Sequence, residues 1–313
     1  MTQALVCMSH SPLLEHTNPP AEVKAAVESA FDQVRAFVQD FDPDLVVNFG
    51  PDHYNGFFYD LMPPFCIGYQ AHGTGDYDSF SGKLDVPTRI AEELAQYVIS
   101  QDIDTAISRK MEVDHGAVQP MEILYSGNVA AKPLIPVFIN SVAPPFSKVR
   151  RVREFGTAIG EYFKNSNTKV LFIGSGGLSH DPPVPQIATA TEEQRQLLTE
   201  GRHPTAEARA ARQARTIATA EAFARGEADI MDLNPEWDRA FLDVCRSGDV
   251  TGFDAYDPEE MSRLAGHSSH EVRTWVAAYS ALRACGEYEV TYEFYKPIKE
   301  YIAGFGVTTA VLR

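Results

Sequence analysis

Short apolar runs, each closed by turn residues and followed by an amphipathic stretch, recur along this chain and restrict it to a layered α/β fold. Ala4 to Met8 reads as a first strand, and Asp44 to Phe49 as a second, ended by Gly50-Pro51. Leu134 to Ile139 and Val170 to Ile173 are similar runs, suited to strands covered on both faces. Ala21 to Asp40, behind Pro19-Pro20, carries Val23, Val27, Ala30, Phe31, Val34 and Val38 at helical spacing. Val152 to Phe163, the Ala/Arg/Glu-rich Ala206 to Arg225, Pro235 to Cys245 and Glu271 to Ala284 predict further helices. Tyr288 to Tyr295 and Gly306 to Leu312 read as closing strands, and Asp181 to Pro204 as a loop able to cover a site. The expectation is a three-layer α/β/α arrangement around a central mixed sheet, one catalytic domain over 1–313, with a helical excursion in the second half.

Composition narrows the class. A 313-residue chain that is 44% hydrophobic can bury a large core. No apolar run approaches the ~20 residues that span a bilayer, and the N-terminus lacks the basic and apolar regions of a signal peptide. A cytoplasmic protein with no membrane partner is expected. The net charge of −16 repels phosphate backbones and argues against nucleic acid as a partner. The four cysteines are scattered without a CxxC pair, so they read as reduced thiols rather than a zinc ribbon or a disulfide framework.

Histidines carry the functional signal. His10 follows the first strand, His53 the second and His180 the Val170 to Ile173 run, while His115 sits in the polar break Val113-Asp114-His115-Gly116. Loops leaving the carboxyl ends of strands in an open α/β sheet converge on one crevice, which would gather these imidazoles. Two of them with one carboxylate would make a face for octahedral iron, and zinc accepts the same ligands. Spacing does not choose between the metals or point to the carboxylate. Other motifs compete. Gly174-Ser175-Gly176-Gly177 looks like a phosphate cradle but lacks the P-loop lysine, and Pro182-Pro183 delays any helix after it. Ser179-His180-Asp181 holds triad residue types, but sequence neighbours do not generally form that geometry. His267 and His270 form an HxxH pair with Ser268 or Ser269 placed to cap a helix.

The segments Ser9-His10-Ser11-Pro12-Leu13, Pro51-Asp52-His53-Tyr54-Asn55-Gly56, Val113-Asp114-His115-Gly116, Gly174 to His180 and His270-Glu271-Val272-Arg273-Thr274-Trp275 together resemble the class III extradiol dioxygenases. Within that family they are most similar to the bacterial branch acting on 2,3-dihydroxyphenylpropionate and 2,3-dihydroxycinnamate. The resemblance runs from Ser9 to the Tyr301 to Gly306 stretch and is least distinctive from Ile187 to Ala228. It implies an oxidoreductase that uses Fe(II) and O2 to open a catechol ring to a hydroxy-keto-dienoic acid. It implies His10, His53 and Glu271 as metal ligands and His115 and His180 as acid/base groups, with His180 the base and His115 the acid in an assignment open to exchange. It also implies a homo-oligomer.

Asp52, Asp114 and Asp181 each neighbour one of these histidines and are candidates to orient it, and Tyr54 and Ser179 are candidates to line the pocket. Arg273 should form a structural ion pair, and Trp275 should be a core aromatic. A 2-aminophenol-cleaving enzyme, a zinc hydrolase and a non-enzymatic binding protein on the same fold are the alternatives.

Overall fold

The structure is a computed structural model and describes residues 2–313. Its strands are β1 (Gln3–Met8), β2 (Leu45–Gly50), β3 (Phe65–Gly68), β4 (Ala71–Thr74), β5 (Ser81–Lys83), β6 (Ala106–Ser108), β7 (Met111–Val113), β8 (Leu134–Ile139), β9 (Val170–Ser175), β10 (Tyr288–Ile298) and β11 (Ala303–Leu312). Its helices are α1 (Ala21–Phe41), α2 (Thr88–Ser100), α3 (His115–Leu124), α4 (Val149–Phe163), α5 (Glu192–Glu200), α6 (Ala206–Ala224), α7 (Pro235–Ser247), α8 (Pro258–Ala265) and α9 (Val272–Cys285).

Eight strands form one mixed sheet in the order β10-β11-β1-β9-β2-β8-β3-β6. Its centre, β1-β9-β2-β8, is parallel, while β11 joins β1 and β3 joins β8 in antiparallel fashion. The central strands are buried along their whole length, as continuous apolar runs require when both faces are covered. Alternation sorts their side chains between two cores. Leu5, Val47 and Phe172 face α2, α4, α7 and α9, whereas Val6, Val46 and Ile173 face α1, α3 and α6. Each large apolar side chain so buried stabilises the fold by about 1.5–3 kcal/mol. The result is the expected α/β/α layering.

One helix contact fixes the position of the site. On α4, Gly156 and Gly160 lie flush against α9: a Cβ would stand 2.2 Å from the Ala277 carbonyl oxygen at the first and 2.0 Å from that of Ala281 at the second. The absence of side chains there lets α9 run close beneath α4 and press against β9 and β1. The N-terminus of α9 is thereby held at the carboxyl ends of those strands.

The helical excursion lies between β9 and α9 and comprises α5 to α8. The segment read as a loop from Asp181 to Pro204 instead contains α5. Thr191 and Gln194 close a capping box at its start, each side chain bonding the other's backbone N–H, which stabilises a short helix that propensity alone leaves marginal. Glu271 is not within α9 but ends the 3-10 turn Ser269–Glu271 that precedes it. Among the described residues no helix is long and apolar enough to cross a membrane.

Candidate metal centre and substrate cavity

β1, β9 and β2 are adjacent and parallel, so the loops leaving their carboxyl ends deliver His10, His180 and His53 to one place. Each loop is pinned locally. The Gln119 side chain accepts from the Ser11 N–H at 2.8 Å and donates to the Ser11 carbonyl at 3.0 Å, fixing the loop after β1. The Asp52 carboxylate accepts the N–H groups of Asn55, Gly56 and Phe57, forming the turn after β2. Burial, reinforced by the Asp114 charge, lifts the Asp52 carboxyl to about 7 against those three bonds. Asp114 caps α3 by accepting from the Gly116 N–H at 2.9 Å, which starts the helix at His115.

Ring tautomers follow from the hydrogen bonds. The Ser175 hydroxyl donates to the Gly116 carbonyl at 2.5 Å, so it accepts from His10 Nδ1 at 2.9 Å. His53 Nδ1 donates to Asp114 Oδ2 at 3.0 Å, and His180 Nδ1 donates to the Leu178 carbonyl at 2.9 Å. All three rings therefore present an Nε2 lone pair. These nitrogens converge on the Glu271 carboxylate, at 3.6 Å from His10, 2.9 Å from His53 and 3.1 Å from His180. Glu271 is held in turn by the Gly177 N–H at 2.9 Å. Gly176 has to be glycine for this approach, because a Cβ there would stand 2.6 Å from the Glu271 Cβ. The glycine loop that looked like a phosphate cradle thus presents its N–H to the protein's own carboxylate.

Three buried lone pairs facing a carboxylate, with no donor among them, form a set of acceptors that only a cation or added protons can satisfy. In the metal-free protein, protons serve. Burial opposes a charged ring at His53 and His180, but Asp114 and Glu271 at the first and Glu271 at the second raise both above the usual imidazole value. Burial opposes ionisation of Glu271 too, yet His180 and His10 keep it well below the usual carboxylate range. Burial dominates at His10 and pushes it down to about 3 despite Glu271, which leaves a neutral imidazole. His10 is thus a neutral imidazole and Glu271 an ionised carboxylate, and a divalent metal would take the place of the proton that the Asp114 and Glu271 charges hold on His53, so the residues present fit one.

His115 stands beside this set. Its ring stacks on His53 with centroids 4.6 Å apart, and its ring nitrogen lies within 4.8 Å of those of His10 and His53. Asp76, from the turn after β4, accepts from the His115 N–H at 2.9 Å and from Nδ1 at 2.5 Å. Sequence reading missed Asp76, which no motif links to a histidine 39 positions away. It also missed Asp238, whose buried carboxylate accepts from the Ser179 N–H and hydroxyl at 2.7 and 2.8 Å and fixes the residue before His180.

The other sequence candidates are placed as follows. Asp114 bonds the ring of His53 rather than that of its neighbour His115. Asp52 forms a turn and leaves the His53 ring alone. Asp181 turns away from His180 and accepts from His267 Nδ1 at 2.8 Å. His270 is buried against Ser262 at 2.8 Å, so the HxxH pair is divided between separate partners. Tyr54 lines the cavity, whereas Ser179 is buried behind it. Trp275 is fully buried in the core, its Nε1 donating to the Gly176 carbonyl at 3.0 Å. Arg273 forms no ion pair among the described residues. It is buried, donates to the Ser147 carbonyl at 2.6 Å and stacks over Phe146, and burial pulls its guanidinium down to about 9.

The four histidines and Glu271 line a cavity of about 720 Å³, to whose wall α5 and α6 also contribute. That volume suits a small aromatic ligand. Imidazoles and a carboxylate at the carboxyl ends of parallel strands, opening into such a cavity, give an α/β protein a site able to hold a metal ion. The family model for the catalytic LigB subunit of aromatic ring-opening dioxygenase matches residues 4–306, and the chain belongs to this family. It is therefore an oxidoreductase of the extradiol dioxygenase type. It is 74% identical over 313 residues to the 2,3-dihydroxyphenylpropionate/2,3-dihydroxicinnamic acid 1,2-dioxygenase of Rhodococcus globerulus, covering 100% of this chain and 99% of that one. A protein of the same name from Rhodococcus rhodochrous is 72% identical over 100% of this chain and 99% of its own. One from Paraburkholderia xenovorans (strain LB400) is 52% identical over 99% and 98%.

Proposed function

We propose that this protein holds Fe(II) through His10, His53 and Glu271 and opens the ring of 3-(2,3-dihydroxyphenyl)propionate beside its two hydroxyls, consuming O2 and giving a hydroxy-keto-dienoic acid. The observation that carries the reading is the convergence of imidazole lone pairs and one carboxylate in the wall of a cavity sized for a catechol. The substrate named for relatives 74% and 72% identical over the whole chain supports the choice of catechol. When bound, the metal supplies Lewis-acid and one-electron chemistry toward the catechol and O2.

The protein's own groups move protons. With Nδ1 fixed on the Leu178 carbonyl, His180 exchanges a proton only at Nε2 and takes one from a catechol hydroxyl. His115, its Nδ1 fixed on Asp76, likewise works through Nε2 and returns a proton as the ring opens. His180 lies within 3.1 Å of Glu271 and His53 within 2.9 Å, so metal content of single variants is the measurement that separates ligands from acid/base groups. The same reading makes the chain one catalytic domain acting as a cytoplasmic homo-oligomer, whose order sedimentation would measure.

The test is anaerobic reconstitution with Fe(II) followed by substrate in aerated buffer. One O2 consumed per substrate, with a yellow ring-opened product, is expected. A fully iron-loaded protein that consumes no O2 with this or other 3-substituted catechols would falsify the reading.

A further inference from the structure

In a chain of net charge −16, the α6 wall of the cavity that the histidines line carries three arginines, Arg209, Arg212 and Arg215, spaced three apart along the helix. Among the described residues none is paired with a carboxylate. Arg209 donates to the Thr74 carbonyl at 2.8 Å, and Arg212 donates to the Tyr54 carbonyl at 3.2 Å and to Asn55 Oδ1. Arg215 is exposed at the same wall. Glu193 and Glu200 of α5 line the cavity as well, and neither pairs with these arginines.

Arg212 is the one tied to the metal-binding residues. Its partner Asn55 donates to Asp114 Oδ2 at 3.0 Å, and the same oxygen holds the His53 ring. Tyr77, packed edge-on against His115 with centroids 5.3 Å apart, also lies within reach of the Arg212 and His53 charges. Arg212 therefore stands half-buried one residue away from the metal-binding loop, its fork held in place by neutral acceptors. A guanidinium has five donors, and these bonds leave several free. A fixed, partly desolvated guanidinium without an anion is a ready site for a carboxylate, which it can bind with two parallel bonds.

We propose that Arg212, backed by Arg215 toward the mouth, anchors the side-chain carboxylate of the catechol substrate and so selects acidic catechols over neutral ones. This rests on the ring-opening function proposed above. The anchor sets which end of the substrate faces α6, leaving the two hydroxyls toward His10, His53 and Glu271.

The test compares kcat/KM for 3-(2,3-dihydroxyphenyl)propionate with that for 3-propylcatechol in the Fe(II)-loaded wild type, Arg212→Gln and Arg215→Gln. The ratio of acidic to neutral substrate should fall about tenfold or more in Arg212→Gln, with a smaller fall in Arg215→Gln. A ratio within twofold of wild type in both variants overturns the proposal. Because Arg212 also supports the Tyr54-Asn55 turn, a second measurement uses the metal-free protein. Calorimetric titration should show 3-phenylpropionate binding about tenfold or more tighter than 3-phenylpropionamide in wild type and that preference lost in metal-free Arg212→Gln, whereas equal binding in wild type, or a preference kept in Arg212→Gln by the protonated histidines, overturns the anchor. Wild type that opens neither catechol but still prefers the acid would sink the ring-opening function and leave the carboxylate site standing.

Discussion

Asp76 Oδ2 accepts the Nδ1–H of His115 at 2.5 Å, and Asp76 Oδ1 accepts the same residue's backbone N–H at 2.9 Å. One buried carboxylate thus fixes both the ring and the first turn of the helix that carries it. Substitution by Asn keeps the shape but replaces one acceptor oxygen by a donor, so the ring loses its orientation. Asp76→Asn should lower kcat about 10–100-fold while bound iron stays at the wild-type level, read by steady-state kinetics alongside metal analysis. Iron lost in parallel with activity would mean that Asp76 serves the metal centre instead.

The ligand assignment predicts a division among single variants. His10→Ala, His53→Ala and Glu271→Ala should lose stoichiometric iron after anaerobic reconstitution and desalting. His115→Ala and His180→Ala should retain it and lose about 10²–10⁴-fold in kcat. Atomic absorption on the five proteins decides the matter. Loss of iron in His180→Ala with retention in His10→Ala would exchange those two roles.

The central sheet was legible because strands covered on both faces must be continuously apolar, and β1, β2, β8 and β9 are. Strands β3 to β7 were not, because three or four residues such as Ser81–Lys83 carry no period against their turns. The histidines were legible by position, since an imidazole just beyond a strand sits at the sheet's carboxyl edge. Their orienting partners were not: successive residues project apart, so Asp114 reaches His53 across 61 positions while Asp181 serves His267. Arg273 looked like a partner for a carboxylate, yet it is buried on Phe146 and the Ser147 carbonyl, contacts that close only in three dimensions. The wall of α6 had helical composition in plain view, but its arginines acquire meaning only once that helix is laid across the cavity.

The α4–α9 contact predicts how the site depends on remote packing. A Cβ at Gly160 would stand 2.0 Å from the Ala281 carbonyl oxygen, and backbone cannot rotate away as a side chain can. Gly160→Ala should destabilise the fold by about 1–3 kcal/mol and loosen iron, because α9 also positions Glu271 at its start. Calorimetric melting and iron retention on dialysis measure the two effects. A melting temperature equal to wild type would show that the helices separate at little cost.

Burial predicts the behaviour of the thiols at alkaline pH. Cys66 is buried on strand β3, which pushes its thiol up to about 12, and burial raises Cys7 and Cys245 well above the usual value. Burial also takes the half-buried Cys285 to about 12, its thiol donating to the Gly160 carbonyl at 3.3 Å. At pH 8 the native protein should react slowly with a disulfide reagent, while all four thiols react at once in denaturant. The stability consequence follows from linkage. A raised folded-state pKa means that the native protein holds its proton more tightly than the unfolded chain. The contribution is complete below the unfolded value and is lost as pH climbs from there to about 12. For Cys66 the loss should approach about 1.4 kcal/mol per pH unit within that window. Cys66→Ala should remove that share of the slope, measured as the difference between denaturant midpoints from pH 9 to 11. Identical slopes in the two proteins would mean that water reaches the Cys66 sulfur and that this side of the sheet opens locally.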